Sequence, residues 1–271
     1  TKPVGEVMVG MDVRIHSAVI KDSVVRGLTD AGIDVVDVGV MSTDMLYFGV
    51  GNYKFAGGLQ STASHNPPEW HGLKMVEKGP SPMTLEKGIG QVKDFVLSGK
   101  KMLAEKPGAV RKMDIWDDYA KYILTWVDPS KIKPMKVVLN PNFGYGGKIF
   151  EKIVQTGQLP IEIIKLNFEP DGSFPKGRPD PFIPENRIEF SDLVSKSGAD
   201  LGITWDADSD RVFFCADGGI FVEPYFLNTI LIRQMLDKNP GEKIVYDPRY
   251  TWALLDTIRE NGGVPVISRV G

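Results

Sequence analysis

The sequence predicts an α/β protein of repeated βαβ units, with mixed sheets sandwiched by helices. Three observations carry that prediction. The order strand, helix, glycine-marked stop, strand occurs three times along 271 residues, and such crossovers lay helices against a sheet. The composition, 42% hydrophobic and 25% charged, is that of a folded chain with apolar residues for more than one core. At about 100–150 residues per domain, the length suits two domains or three small ones.

In the first unit, residues 6–10 read as a strand running to Asp12. Residues 17–31 form a helix with Ala18, Val19, Val24, Val25 and Leu28 on one side, Gly32 stops it, and residues 33–38 form a second strand. The apolar run 55–59 leads into a loop, and residues 83–97 read as a further helix. A polar stretch at 98–109 closes a first domain, 1–109. The amphipathic pattern of residues 115–127 predicts a helix that begins the second domain, 110–221. There, residues 136–139, 147–155 and 161–166 repeat strand, helix, strand. A Pro/Gly/Asp-rich loop spans 167–184, a helix 185–197, and strands at 200–205 and 212–215 flank an acidic loop. The last stretch, 222–271, is part of a third domain. It has helix 224–238, strand 243–246, helix 252–260 and strand 264–267.

A net charge of −3 gives no basic excess for nucleic acid or an anionic membrane surface. Cys215 is the only cysteine, which excludes an internal disulfide framework and a cysteine-rich zinc site. No apolar run approaches the ~18–20 residues of a membrane helix, and no leader pattern is visible, so the expected compartment is the cytosol. The chain opens on Thr1 rather than Met and closes on a strand that runs into a turn. Both ends are therefore expected to be cuts in a longer chain.

Two loops carry chemistry. In Asp206-Ala207-Asp208-Ser209-Asp210-Arg211, alternate residues of an extended loop point the same way, so three carboxylates converge. Oxygen-only ligands favour Mg²⁺, Mn²⁺ or Ca²⁺ over zinc, and Arg211 offers a fixed fork for phosphate. An EF-hand is excluded, because Arg211 and Asp217 stand where it needs Gly and Glu. A strand followed by Asp206-x-Asp208 also fits locally an aspartyl-phosphate enzyme of the haloacid dehalogenase type, and a solvated acidic turn is the bland alternative. In the second loop, Ser61-Thr62-Ala63-Ser64-His65-Asn66-Pro67-Pro68, Ser64 is a candidate nucleophile or phosphate carrier. His65 and Lys74 are its candidate acid, base or electrostatic partners, and a capping turn is the equal alternative. Gly144-Tyr145-Gly146-Gly147 lacks dinucleotide spacing and reads as a packed turn. His16 and His71 read as structural or surface residues.

Together and in this order, the two loops resemble those of the α-D-phosphohexomutase family. Thr62-Ala63-Ser64-His65-Asn66-Pro67 is similar to its phosphoserine loop, Gly72-Leu73-Lys74 to the Gly-x-Lys that follows, and Asp206-x-Asp208-x-Asp210-Arg211 to its magnesium loop. Asp171-Gly172-x-Phe174-Pro175, Asp180-Pro181 and Asn239-Pro240-Gly241 support the likeness, and residues 243–252 with Gly262-Gly263-x-Pro265 look closest to bacterial phosphomannomutases. The resemblance implies a four-domain architecture truncated here at both ends, without the sugar-selecting loop and the fourth domain. It implies an intramolecular phosphotransferase that interconverts hexose 6- and 1-phosphates of mannose or glucose, through phosphorylated Ser64 and a hexose 1,6-bisphosphate. Magnesium would be held by Ser64, Asp206, Asp208 and Asp210. Arg211 and Lys74 would steady developing charge. Lys74 would be the first candidate base, on the argument that nearby cations ease loss of its proton, and His65 the second. Arg14, Arg249 and Arg269 would contact substrate. Departures from the family pattern are Met11 for Arg, Ala207 and Ser209 for Gly, Asn140-Pro141-Asn142-Phe143 for a Gly-rich turn, and Arg269 for Lys.

Overall fold

A computed structural model describes residues 5–269 of the chain. The first unit runs β1 (Val7–Met11), α1 (Ser17–Asp30), β2 (Val35–Val40), α2 (Thr43–Asn52), β3 (Gly57–Ser61), β4 (Leu73–Glu77), β5 (Ser81–Pro82), α3 (Ile89–Leu97) and β6 (Val110–Lys112). The second runs α4 (Trp116–Leu124), β7 (Met135–Asn140), α5 (Gly146–Gly157), β8 (Ile161–Lys165), α6 (Glu185–Ser197), β9 (Leu201–Trp205), β10 (Val212–Ala216) and β11 (Ile220–Val222). Then come α7 (Pro224–Lys238), β12 (Lys243–Tyr246), α8 (Trp252–Glu260) and β13 (Val264–Ile267).

The expected mixed sheets are present. The first has the order β5-β4-β3-β1-β2-β6 and the second β11-β10-β9-β7-β8, while β12 and β13 form a parallel pair. In each large sheet the centre is parallel and one side is closed by antiparallel hairpins, β3–β4–β5 and β9–β10–β11. Alternation along the central strands fills a core on both faces. Val7 and Val9 of β1 pack with Val24, Val25 and Leu28 of α1, while Met8 faces Met45 and Leu46 of α2. Likewise Val137 and Leu139 of β7 pack with Phe150 of α5, and Val138 faces Phe190 and Val194 of α6. The third unit has its own core of Ile232, Leu236, Leu254 and Ile258.

Several expected bounds move. The helix expected at 83–97 begins only at Ile89. Met83 N–H still pairs with the Met75 carbonyl, Thr84 and Lys87 close a turn, and Gly88 takes φ 94°. Strand β2 starts at Val35 because Ile33 N–H first closes the end of α1 on the Leu28 carbonyl. The boundary expected at 109 falls just before β6, which pairs with β2 and so extends the first sheet. The helix expected to begin the second domain is α4, and it does not belong to that domain's core alone. Its Tyr119, and Ile115 just before it, are buried beside Met8 and Leu46, in a cluster that also takes Ile149 from α5. The first two units thus share apolar contacts, and a bridge from Arg14 to Gly172 joins them again.

Candidate active site

Both motif loops are the connections of antiparallel hairpins. Residues 62–72 join β3 to β4, and residues 206–211 join β9 to β10. Each leaves the end of a strand whose other neighbour is parallel, the end at which open α/β sheets bind ligands. The two loops meet.

Ser64 sits at φ 51°, in the left-handed region that a non-glycine residue adopts at a cost. The conformation is held by its neighbours. Its N–H donates to Thr62 Oγ1 at 3.0 Å, and its Oγ donates to Asp206 Oδ2 at 3.1 Å and lies 3.1 Å from His65 Nδ1. Arg14 lies beneath the loop, 2% exposed. Its Nη2 donates to the carbonyls of Ser64 and Asn66, both at 2.6 Å, and its Nη1 to those of Pro67 at 2.7 Å and Trp70 at 3.1 Å. Nε pairs with Asp12 at 3.3 Å. Both terminal nitrogens of Arg14, which is expected to contact substrate, are engaged in shaping the serine loop.

Asp206, Asp208 and Asp210 do converge, each offering a carboxylate oxygen within 4.8 Å of the others. Asp206 and Asp208 are buried and Asp210 is exposed. Burial, with Asp208 and Asp210 beside it, pushes the Asp206 carboxyl well above its usual range. Asp208 Oδ2 accepts from Thr43 Oγ1 at 2.8 Å, Thr62 Oγ1 at 3.1 Å and Lys74 Nζ at 2.6 Å. Its Oδ1 is buried with no hydrogen-bond partner. A buried, unpartnered carboxylate oxygen within a cluster of like charge calls for a cation. The all-oxygen donor set fits a hard divalent ion.

The acidic loop is held from below. Gly144 packs so closely that a Cβ there would lie 2.4 Å from the Ala207 carbonyl oxygen. Asn142 Nδ2 donates to the Trp205 carbonyl at 2.6 Å and to Thr204 Oγ1 at 3.1 Å. The residues at 140–144 therefore form the packed turn on which the loop rests.

Lys74 spans two carboxylates, 2.6 Å from both Asp208 and Asp210. Burial alone would lower its pKa, but these charges outweigh it and hold the ammonium above its ordinary value. The expectation that its surroundings ease proton loss is corrected, since its nearest charges are anions. His65 shows the opposite balance. Burial and the Arg211 cation hold its imidazole below the usual range, and Nδ1 accepts from Arg211 Nη1. Arg211 also stands 3.7 Å from Asp206.

Sequence reasoning missed Thr43 and Arg178. Thr43 opens α2, and its backbone N–H donates to the Asp208 carbonyl at 2.9 Å. Arg178 Nε donates to the His65 carbonyl at 2.8 Å from the long loop of the second unit. The Ser42-Thr43-Asp44 run, a common helix-start composition, was the available signal for the first. Arg178 left no local signal. Ser64, His65, Lys74, Asp206, Asp208, Asp210 and Arg211 are thus brought together. Arg249 and Arg269 are not among them. Arg249 forks onto Asp247 after β12 at 2.6 and 2.8 Å, and Arg269 is exposed after β13.

The haloacid dehalogenase alternative finds no support. Asp206 is fully buried between antiparallel strands, and its Oδ2 accepts from the Ser64 hydroxyl. The fold and site define an α/β protein in which a serine in the left-handed region faces three converging carboxylates from a second sheet. Residues 1–95 match the family model of phosphoglucomutase/phosphomannomutase alpha/beta/alpha domain I, and residues 117–219 that of domain II. The chain belongs to the phosphoglucomutase/phosphomannomutase family. It is 37% identical over 268 residues to a phosphomannomutase of Vibrio cholerae, covering 98% of this chain and 58% of that protein. It is 35% identical over 270 residues to a phosphomannomutase of Escherichia coli K12, covering 98% and 59%. A crystal structure of a family protein from Burkholderia thailandensis superposes with a TM-score of 0.87 at 27% identity, over 98% of this chain and 58% of that one. The chain spans less than two thirds of the length of these relatives. Among the described residues, no helix is long and apolar enough to cross a membrane.

Proposed function

We propose that this chain carries the phosphoryl-transfer part of a hexose-phosphate mutase, in which Ser64 holds the phosphoryl group exchanged with the sugar. The observation that carries the proposal is the placement of Ser64 Oγ 3.1 Å from Asp206 Oδ2, beside a carboxylate cluster in which a buried oxygen of Asp208 has no partner. A magnesium ion held by Asp206, Asp208, Asp210 and a phosphoserine oxygen would supply positive charge against the phosphoryl oxygens.

The chain's own residues do the rest. The left-handed turn presents Ser64 outward, and the Arg14 contacts keep it there while its charge changes. A sugar hydroxyl attacks phosphorus, the phosphorus–Oγ bond breaks, and a hexose 1,6-bisphosphate forms. Return of the other phosphate to Ser64 completes the exchange. Arg211, beside His65 and Asp206, is placed to oppose charge on the transferred oxygens. Lys74 acts as a held cation. His65, whose Nδ1 lies 3.1 Å from Ser64 Oγ, is a candidate base for the hydroxyl proton. Arg249 and Arg269, on the third unit, would contact the substrate.

The test uses the full-length protein with Mg²⁺ and glucose or mannose 1,6-bisphosphate, followed by phosphopeptide mapping. Phosphate on the peptide containing Ser64 is the expected result. Acid-labile phosphate on aspartate, or none on either loop, overturns the proposal.

A further inference from the structure

Two histidines that the proposed chemistry does not use meet at the base of the serine loop. His16 stands exposed just before α1. His71 is the residue before Gly72, whose carbonyl accepts from Thr62 N–H at 3.1 Å and so closes the loop. His16 Nδ1 lies 3.1 Å from His71 Nε2, with the rings edge to face, 5.1 Å between centroids and 72° between planes. The other ring nitrogen of His71, Nδ1, is buried and has no hydrogen-bond partner. One shared proton satisfies the facing nitrogens only.

We propose that His16 and His71 form a two-imidazole site for a borderline divalent transition ion of the zinc, nickel or copper class, separate from the carboxylate cluster. The spacing fits. With metal–nitrogen bonds of about 2.0–2.1 Å, neighbouring donors lie about 2.9 Å apart in octahedral and about 3.4 Å apart in tetrahedral geometry. The observed 3.1 Å falls between these values. Donor chemistry separates the two sites: imidazole suits zinc, nickel and copper, and carboxylate oxygens suit magnesium. His65 is turned to the serine loop instead, its Nδ1 engaged by Arg211 and Ser64. The exposed side at His16 leaves room for water in the remaining positions. An ion there staples the start of α1 to the end of the loop that carries Ser64.

The test is zinc binding to the metal-free full chain, read as bound equivalents after equilibrium dialysis and as the rise in melting temperature on adding zinc. The native chain and Asp208→Asn are expected to bind an equivalent that His16→Gln/His71→Gln lacks. His16→Gln alone, a change at an exposed position, is expected to lose the same equivalent and the same thermal rise, which guards against misfolding of the double variant. Equal zinc stoichiometry in the native chain and His16→Gln overturns the proposal. So does loss of all zinc binding in Asp208→Asn, which would assign the metal to the carboxylates.

Discussion

Arg14 Nη2 lies 2.6 Å from the carbonyl oxygen of Ser64, so the residue that presents the reactive hydroxyl is gripped by its own backbone from the buried side. Four loop carbonyls share this one guanidinium, whose remaining nitrogen pairs with buried Asp12. Arg14→Ala leaves buried Asp12 without its cation, though still hydrogen-bonded by the backbone N–H of residue 14 and the Ser17 hydroxyl, and strands four loop carbonyls, which costs about 3–5 kcal/mol. The expected outcome in urea unfolding is a loss of that size, and Arg14→Lys recovers little of it, because an ammonium cannot span the fork. Near-native stability of Arg14→Ala would show that the loop holds itself.

Asp208 is the fulcrum of the acidic cluster, with one oxygen on Thr43, Thr62 and Lys74 and the other free. Asp208→Asn removes one charge from the donor set and puts an amide where three donors already point. Magnesium affinity, followed by calorimetric titration, is expected to fall about tenfold or more. Unchanged affinity would place the ion elsewhere.

The contrast between these two residues shows what a sequence discloses. Asp208 belongs to a short run whose residue types and spacing state their chemistry locally, as does Ser64; Asp208 converges with Asp206 and Asp210, and Ser64 Oγ reaches Asp206. Arg14 acts through carbonyls 50 to 56 positions away, and a backbone acceptor leaves no mark in the sequence. The same holds for Lys74, whose two anionic partners come from the other sheet. Among the elements, α6 and α8 have clear stops and their bounds were legible. Helix α2 buries Met45, Leu46, Phe48, Gly49 and Val50 and so shows no polar stripe. Strand β6 is three exposed residues defined only by pairing with β2.

His65 is expected to titrate below 6.5, because burial and Arg211 oppose its charge. Above the ordinary imidazole value the ring is neutral, folded or unfolded, and costs nothing. As pH falls through that value toward the lower folded one, the unfolded chain takes a proton that the folded chain resists, and stability is lost. Proton NMR titration of the ring tests the direction, and Arg211→Ala is expected to move the midpoint up. A native midpoint at or above 6.5 would contradict the contact.

Gly144 sets how closely the turn at 140–144 approaches the acidic loop. A methyl group there would stand 2.4 Å from the Ala207 carbonyl oxygen, so the backbone of one loop must retreat. Gly144→Ala is expected to destabilise the chain by about 1–3 kcal/mol. It is also expected to weaken magnesium binding, because Ala207 lies between two of the three carboxylates. Calorimetric titration beside thermal melting separates the two effects, and a variant with native magnesium affinity would mean that the loop does not depend on this support.

Ser209 presents the reverse case, a residue the loop would be more stable without. It holds φ 64°, where its Cβ is strained, and its Oγ is buried with no partner. The left-handed conformation costs a non-glycine residue about 1–2 kcal/mol, and the unpaired hydroxyl adds to that. Glycine removes both penalties and gives back part of the gain as unfolded-chain entropy, about 0.4–1 kcal/mol. Ser209→Gly is therefore expected to stabilise the chain by about 1 kcal/mol, read as a higher urea midpoint at unchanged slope. Magnesium affinity should stay native, because the three carboxylates keep their positions. A destabilised variant would mean that the hydroxyl has a partner.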